Sequence, residues 1–205
     1  MATAPRDGGE TVGASADGLD WDAGPYDLYG EVASVRRIAI VASASGNGKT
    51  TLGRALAERL NLPFTEMDAL VHGPNWQELP DVELRARMLE ITAAEGWVID
   101  GSYTRKIGDL VLERADTVVW LDLPLRVWFP RLLRRTWVRW WNRQELWNGN
   151  RETLVGAVWG RDSLIGFALH NHFRRRRVYP MCLAKYRVVR LRTTDQVARF
   201  LDEFD

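Results

Sequence analysis

The segment Ser43 to Thr50, Ser-Ala-Ser-Gly-Asn-Gly-Lys-Thr, constrains this chain more than any other. It lies between an apolar run, Val35 to Ala42, and a stretch patterned for a helix, Thr51 to Leu60. Its glycines let the backbone curl until successive N–H groups point to one centre. A helix that begins there adds the positive end of its dipole. Such a loop suits anionic oxygens. The segment meets the nucleotide-binding pattern G-x-x-x-x-G-K-[ST] at every fixed position but the first, where Ser43 stands for glycine. On this reading Ser45, Gly46, Asn47, Gly48, Lys49, Thr50 and Thr51 hold the phosphates of ATP. Lys49 follows the β- and γ-phosphates and the Thr50 hydroxyl serves Mg2+. Serine at position 43 is tolerable if its backbone angles are ordinary. A chance Gly-Lys-Thr turn is the alternative, and the strand before it and amphipathic helix after it argue against chance.

The flanking pattern repeats along the chain. Val35 to Ala42 reads as a buried parallel strand, and Leu52, Ala55, Leu56 and Leu60 fall on one face of the following helix. Further strands are expected at residues 63–68, 96–101, 116–123 and 186–192, which makes five. Helices are expected at residues 80–95, capped by Asp81, at 104–115, and at 193–204, where Thr193 and Gln196 have capping-box spacing. Strands alternating with helices predict an α/β fold, a parallel sheet covered on both faces. Residues 1–34, rich in Gly, Ala, Asp and Ser, read as a disordered tail ahead of a single domain at 35–205.

Composition narrows the partners. The net charge is +1, which gives no case for wholesale nucleic-acid or membrane binding. A single cysteine, Cys182, forbids an intrachain disulfide and fits a reducing cytoplasm. The most apolar stretch, residues 118–129, is broken by Asp122, Pro124 and Arg126, so no membrane span is expected, and the opening residues lack the apolar core of a signal peptide. His170, His172 and Cys182 make a poor metal set.

The loop, the segment GWVIDGSYTR at residues 96–105, and ADTVVWLDLP at 115–124 followed by Arg131, Arg134 and Arg135, resemble the small P-loop kinases of the adenylate kinase and shikimate kinase type. ELWNGNRE, residues 145–152, resembles a signature of bacterial adenylate-kinase-like ATPases labelled topology modulation proteins. The resemblance covers about residues 35–205. It implies the P-loop NTPase fold, a five-stranded parallel sheet flanked by helices, with a mobile arginine-rich lid at about residues 126–160. It implies that Asp100 joins Thr50 in the Mg2+ shell, and that Asp68 is the acceptor-side acid, orienting or deprotonating a hydroxyl. Glu66 would point the same way as Asp68 on a strand. Asp122, just before Leu-Pro, reads more readily as a turn residue. Arg105 stands one residue later than the usual substrate arginine of adenylate kinases.

No acid lies between Asp122 and Glu145, while Arg126, Arg131, Arg134, Arg135, Arg139 and Arg143 do. Arg131 and Arg135, four apart, share a helical face and can grip one phosphate chain; the resemblance makes them lid arginines for the transferring phosphoryl group. Pro130 would kink a helix there. Trp137, Trp140 and Trp141 are expected to pack this helix against the body, with stacking on a base or acceptor ring as the alternative. Arg174 to Arg177 read as a solvated face or a contact for nucleic-acid phosphates. The function expected is transfer of the ATP γ-phosphate to a nucleotide or other small acceptor. A nucleic-acid-associated ATPase or polynucleotide kinase, or a nucleotide-binding regulator of low turnover, stands as the alternative.

Overall fold

The structure, a computed structural model, describes residues 35–142, 145–150 and 163–205. The expected tail at residues 1–34, Arg143 with residue 144, and the part of the expected lid from residue 151 to 160 lie outside the described residues.

Five parallel strands stand in the order β2-β3-β1-β4-β5: β1 at Arg37–Ala42, β2 at Phe64–Glu66, β3 at Trp97–Asp100, β4 at Thr117–Leu121 and β5 at Val188–Leu191. The five-stranded parallel sheet expected from the sequence is therefore present. β1 is central, with Ile40 in register with Asp100 on one side and Ala42 with Leu121 on the other. Because alternate strand residues face opposite ways, the sheet feeds two cores. Ala39, Val41, Trp97, Ile99, Val118 and Trp120 enter one; Ile38, Ile40, Val98, Val119 and Leu121 enter the other. Runs apolar on both faces are what a doubly covered parallel strand requires.

Helix α1, Lys49–Leu60, covers the second core with Leu52, Leu56 and Ala57. It lies so close that a Cβ at Gly53 would stand 2.5 Å from Phe64 Cε2. The last helix, α8, Thr194–Asp202, adds Phe200 to the same core and begins in the expected capping box of Thr193 and Gln196. The first core is covered by α2, Met67–Val71, α3, Asp81–Ile91, and α5, Leu110–Arg114.

Several elements depart from expectation. The strand expected at residues 63–68 stops at Glu66 and passes into α2, because Met67 and Val71, four apart, are both fully buried on the sheet. Asp68 thus belongs to a helical turn, so the strand spacing that would point it the same way as Glu66 does not apply. The helix expected at 104–115 divides at Gly108, whose φ of 66° and ψ of −157° end α4, Thr104–Ile107, before α5 starts. Pro80, not Asp81, is the cap of α3; Asp81 is its first residue and binds Lys106 at 2.9 Å. Helix α6, Leu125–Trp141, runs unbroken through Pro130. Its body-facing residues are Trp128, Leu132 and Thr136. Trp137 and Trp141 are exposed and Trp140 lies at the margin of exposure; the three rest on one another, with centroids 5.3–6.2 Å apart, and do not pack the helix to the body. Helix α7, Leu164–Cys182, has no counterpart among the elements expected from the sequence and carries the whole arginine run 174–177. Among the described residues, no helix is long and apolar enough to cross a membrane.

Candidate active site

The loop after β1 and the carboxyl ends of the flanking strands open onto one cleft of roughly 2410 Å3. This is where a parallel α/β sheet places ligands, at the point where strand order reverses around the central strand. Gly46 and Gly48 have φ of 83° and 91°, the left-handed region that glycine adopts freely. A Cβ at Gly46 would also stand 2.9 Å from the Trp128 carbonyl oxygen, so the loop packs directly on the base of α6. The Asn47 side chain straps the loop, donating to the Ala44 carbonyl at 2.9 Å and accepting the Leu123 N–H at 3.0 Å. Ser43 is absent from the residues with positive φ, which explains why serine fits where the pattern has glycine.

Lys49 and Thr50, the first residues of α1, meet Asp100 at the end of β3. Lys49 Nζ lies 2.9 Å from Asp100 Oδ1, and Thr50 Oγ1 donates to Asp100 Oδ2 at 2.6 Å. Glu66 Oε1 is 3.4 Å from the same hydroxyl. The sequence sets Glu66 only beside Asp68; its place at the end of β2, next to β3, brings it to the loop instead. One hydroxyl and two carboxylates converging beside the phosphate loop form a set of hard oxygens, which fits Mg2+. Among the described residues there is no group of three or more His, Cys, Asp or Glu arranged to hold a metal.

Across the cleft, Asp68 accepts the Tyr103 hydroxyl at 2.5 Å, and His72 Nε2 lies 3.5 Å from that same hydroxyl. Burial, then the charge of Asp68, push the Tyr103 phenol far above its ordinary value, so it stays a hydrogen-bond donor. Tyr103 holds a left-handed conformation, φ 45° and ψ 41°, rare for an aromatic residue. Nothing in the sequence marked it beyond its place after Asp-Gly-Ser. Residues 148 and 150 of the segment 145–152 also find a place. Asn148 donates to the His72 carbonyl at 2.6 Å, while Asn150 accepts the Trp76 N–H and donates to the Gly73 carbonyl, both at 2.9 Å. The segment therefore clasps the turn 72–76, which puts Trp76 and His72 on the cleft wall.

Arg131 and Arg135 lie on the cleft-facing side of α6 with Arg139, and Arg105 lines the cleft from α4. Thr51 lines it too, exposed one residue beyond Thr50. The run 174–177 is not one solvated face. Arg175 Nη1 donates to the Ala42 carbonyl at 2.9 Å, and Arg176 Nε lies 3.2 Å from Asp122 Oδ1. Only Arg174 and Arg177 are exposed. Asp122 is fully buried and also takes Ser43 and Arg190. His172 is buried against Trp128 with ring centroids 5.3 Å apart; burial and then Arg176 lower its pKa.

The shikimate kinase family model matches residues 45–82, which carry the loop, Glu66 and Asp68. The shikimate kinase of a Sulfurihydrogenibium species is 30% identical over 101 residues, 42% of this chain and 61% of that protein. That of Symbiobacterium thermophilum is 32% identical over 97 residues, 40% of this chain and 56% of that protein. The chain thus spans less than two thirds of the length of these relatives. Among solved structures, the shikimate kinase of Bacteroides thetaiotaomicron has a TM-score of 0.52 at 20% identity, covering 82% of this chain and 95% of that one. The Acinetobacter baumannii shikimate kinase in complex with shikimate has 0.51 at 20%, covering 82% and 92%. A gluconokinase from Sinorhizobium meliloti has 0.50 at 22%, covering 83% and 90%. At these identities the likeness establishes the fold, which is that of the P-loop kinases.

Proposed function

We propose that this chain is an ATP-dependent phosphotransferase that moves the γ-phosphate of ATP to a hydroxyl of a small acceptor. The observation that carries the reading is the convergence of Lys49, Thr50 and Asp100 within 2.6–2.9 Å at the mouth of a loop shaped for phosphates. In this reading the loop N–H groups from Ser45 to Thr51 bind the phosphate chain and Lys49 follows its outer phosphates. Thr50 and Asp100, with Glu66 beside them, would hold Mg2+, which would supply positive charge against the negative charge that develops in transfer.

On the acceptor side, Asp68 takes the proton of the attacking hydroxyl as its oxygen bonds to the γ-phosphorus. The bond from that phosphorus to the β-phosphate oxygen breaks, and ADP leaves. Tyr103 orients Asp68 through its hydrogen bond. Arg131 and Arg135 meet the charge on the transferring group from α6. The lid is assigned to about residues 126–160; within α6 the buried Trp128, Leu132 and Thr136 hold its base to the body, so closure over a ligand is assigned in α6 to the turns after Thr136.

A carboxylate paired to a phenol suits a hydroxyl acceptor, since a hydroxyl must lose a proton and a phosphate acceptor need not. A nucleoside monophosphate, the acceptor of an adenylate-kinase-like enzyme, is the second reading, favoured by Arg105, Arg131 and Arg135 on the cleft wall. A chain with this site and one exposed cysteine suits the cytoplasm.

The test is ATP consumption by the full chain with magnesium against panels of polyhydroxy compounds and hydroxy acids, nucleoside monophosphates, and oligonucleotides. Turnover with a hydroxyl compound supports the first reading, and turnover with a monophosphate the second. Activity only with oligonucleotides, or tight nucleotide binding with no acceptor at all, would replace both with a polynucleotide kinase or a regulator.

A further inference from the structure

Ser43 replaces the first glycine of the phosphate loop, and its side chain is fully buried. Its N–H donates to the Leu121 carbonyl at 3.0 Å, its hydroxyl donates to Asp122 Oδ1 at 2.7 Å, and the same oxygen accepts the Trp120 indole N–H at 3.0 Å. The N–H and the hydroxyl of this residue are thus both engaged with the end of β4. With the Asn47 strap to Leu123, the loop is tied to the end of β4 at two points before any ligand arrives.

Asp122 is the centre of this arrangement. A buried carboxylate beside a phosphate site is a liability unless its charge is cancelled. Arg190 cancels it from β5, with Nη2 at 2.6 Å and Nε at 3.1 Å from Oδ2, while its guanidinium lies 4.2 Å over the Trp120 ring. Arg176 approaches Oδ1 at 3.2 Å from α7. Two guanidinium groups against one carboxylate leave the layer under the loop without negative excess. Arg175, the neighbouring residue, holds the Ala42 carbonyl at the start of the loop.

We infer that Ser43 and Asp122 are positioning residues for nucleotide binding: their hydrogen bond fixes the first turn of the phosphate loop, and Arg176 and Arg190 cancel the charge that Asp122 would otherwise set against the bound phosphates. This rests on the nucleotide-binding reading of the loop. It gives the inner members of the arginine run a role inside the protein, and it explains why serine serves where the pattern has glycine. A preformed loop binds more tightly because less order has to be imposed at binding.

The experiment is calorimetric titration of the full chain with an ATP analogue that cannot be hydrolysed at the γ-phosphate, plus magnesium, alongside thermal melting of each variant. Ser43→Ala is expected to raise Kd roughly tenfold. Arg190→Gln is expected to raise it at least as much, and Asp122→Asn added to Arg190→Gln is expected to recover most of the loss, because the uncancelled charge is then gone. Asp116→Asn, which breaks an ion pair at the opposite end of the sheet, is expected to lower the melting temperature and leave Kd unchanged.

A Kd within twofold of wild type for Ser43→Ala overturns the inference, as does a double variant whose losses add with no recovery. If Arg190→Gln does not fold, Ser43→Ala decides alone. If wild type itself binds no analogue, or Lys49→Ala binds as well as wild type, the phosphate-loop reading fails and this inference falls with it. Kd raised in Ser43→Ala while Lys49→Ala abolishes binding supports both.

Discussion

The two sides of the phosphate loop carry the same chemical group to different ends. Asp100 closes β3 and Asp122 follows β4, and both are buried, at 3% and 1% exposure. Asp100 meets Lys49 and Thr50, groups that line the cleft and have other partners to take when a ligand enters. Asp122 meets Ser43, Arg176 and Arg190, all committed to holding the loop and the sheet. Burial alone therefore does not mark a reactive carboxylate. What separates the two is whether their partners are free to turn to a substrate.

The largest effect expected on the β3 side of the cleft is at Asp68. As proton acceptor it should make Asp68→Asn lose ~10²–10⁴-fold in phosphoryl transfer while nucleotide affinity stays near wild type. Stopped assays of product formation, set beside equilibrium ATP binding, would check this. Equal small losses in both would reduce Asp68 to a structural acid in α2.

The comparison sharpens with the metal. Thr50→Ala and Asp100→Asn should each shift the magnesium dependence of turnover to higher concentration and slow it, on the order of a hundredfold for the carboxylate. Ser43→Ala should leave the magnesium dependence in place. Magnesium titrations that overlay wild type for both β3-side variants would erase the distinction between the two flanks.

Smaller effects are expected from α6. Arg131→Ala and Arg135→Ala should each lower turnover by about tenfold and weaken ATP binding less, because the charge they meet grows during transfer. Hydrogen exchange of the segment beyond Thr136 should slow on adding ATP and magnesium, while Trp128 and Leu132 should be protected already. Slow exchange throughout, unchanged by ligand, would make α6 a fixed wall.

The smallest effect on activity is expected at the far end of the sheet. Asp116 accepts the backbone N–H groups of Arg36 and Arg37 and pairs with the Arg37 guanidinium at 2.6 Å. Burial pushes its carboxyl up, but the Arg37 side chain and the two N–H groups outweigh that and hold it below the usual value. A lowered folded pKa gives stability that is present above the unfolded value and is lost as pH falls through the folded one. Asp116→Asn should therefore cost about 1 kcal/mol at neutral pH and flatten the fall in melting temperature below about pH 4, with no change in turnover. A loss of activity at neutral pH would show that the two ends of the sheet are coupled.

The sequence made the fold legible where the signals are local. Strand runs, the loop and the Thr193–Gln196 capping box each depend on residues a few positions apart. Asp100 was placed beside the loop because the resemblance supplied strand order. What stayed hidden depends on distant pairs. Arg176 meets Asp122 from 54 residues away in sequence only because α7 returns over the end of β4. Tyr103 reaches Asp68 across 35 residues through a left-handed backbone that no local pattern predicts. The helical turn at Asp68 was missed because a four-residue apolar spacing, Met67 to Val71, is too short to stand out from a strand. The exposed tryptophans of α6 were misread because helical spacing gives a shared face but does not say which face meets the body.

The most direct test of the central claim is the binding of ATP and magnesium by Lys49→Ala, compared with wild type by calorimetry and with circular dichroism to confirm the fold. Lys49 is the loop's own cation, and its Nζ now rests on Asp100. The account predicts that wild type binds and that the folded variant loses ~10²-fold or more in affinity or turnover. A folded Lys49→Ala that binds and consumes ATP like wild type would contradict it.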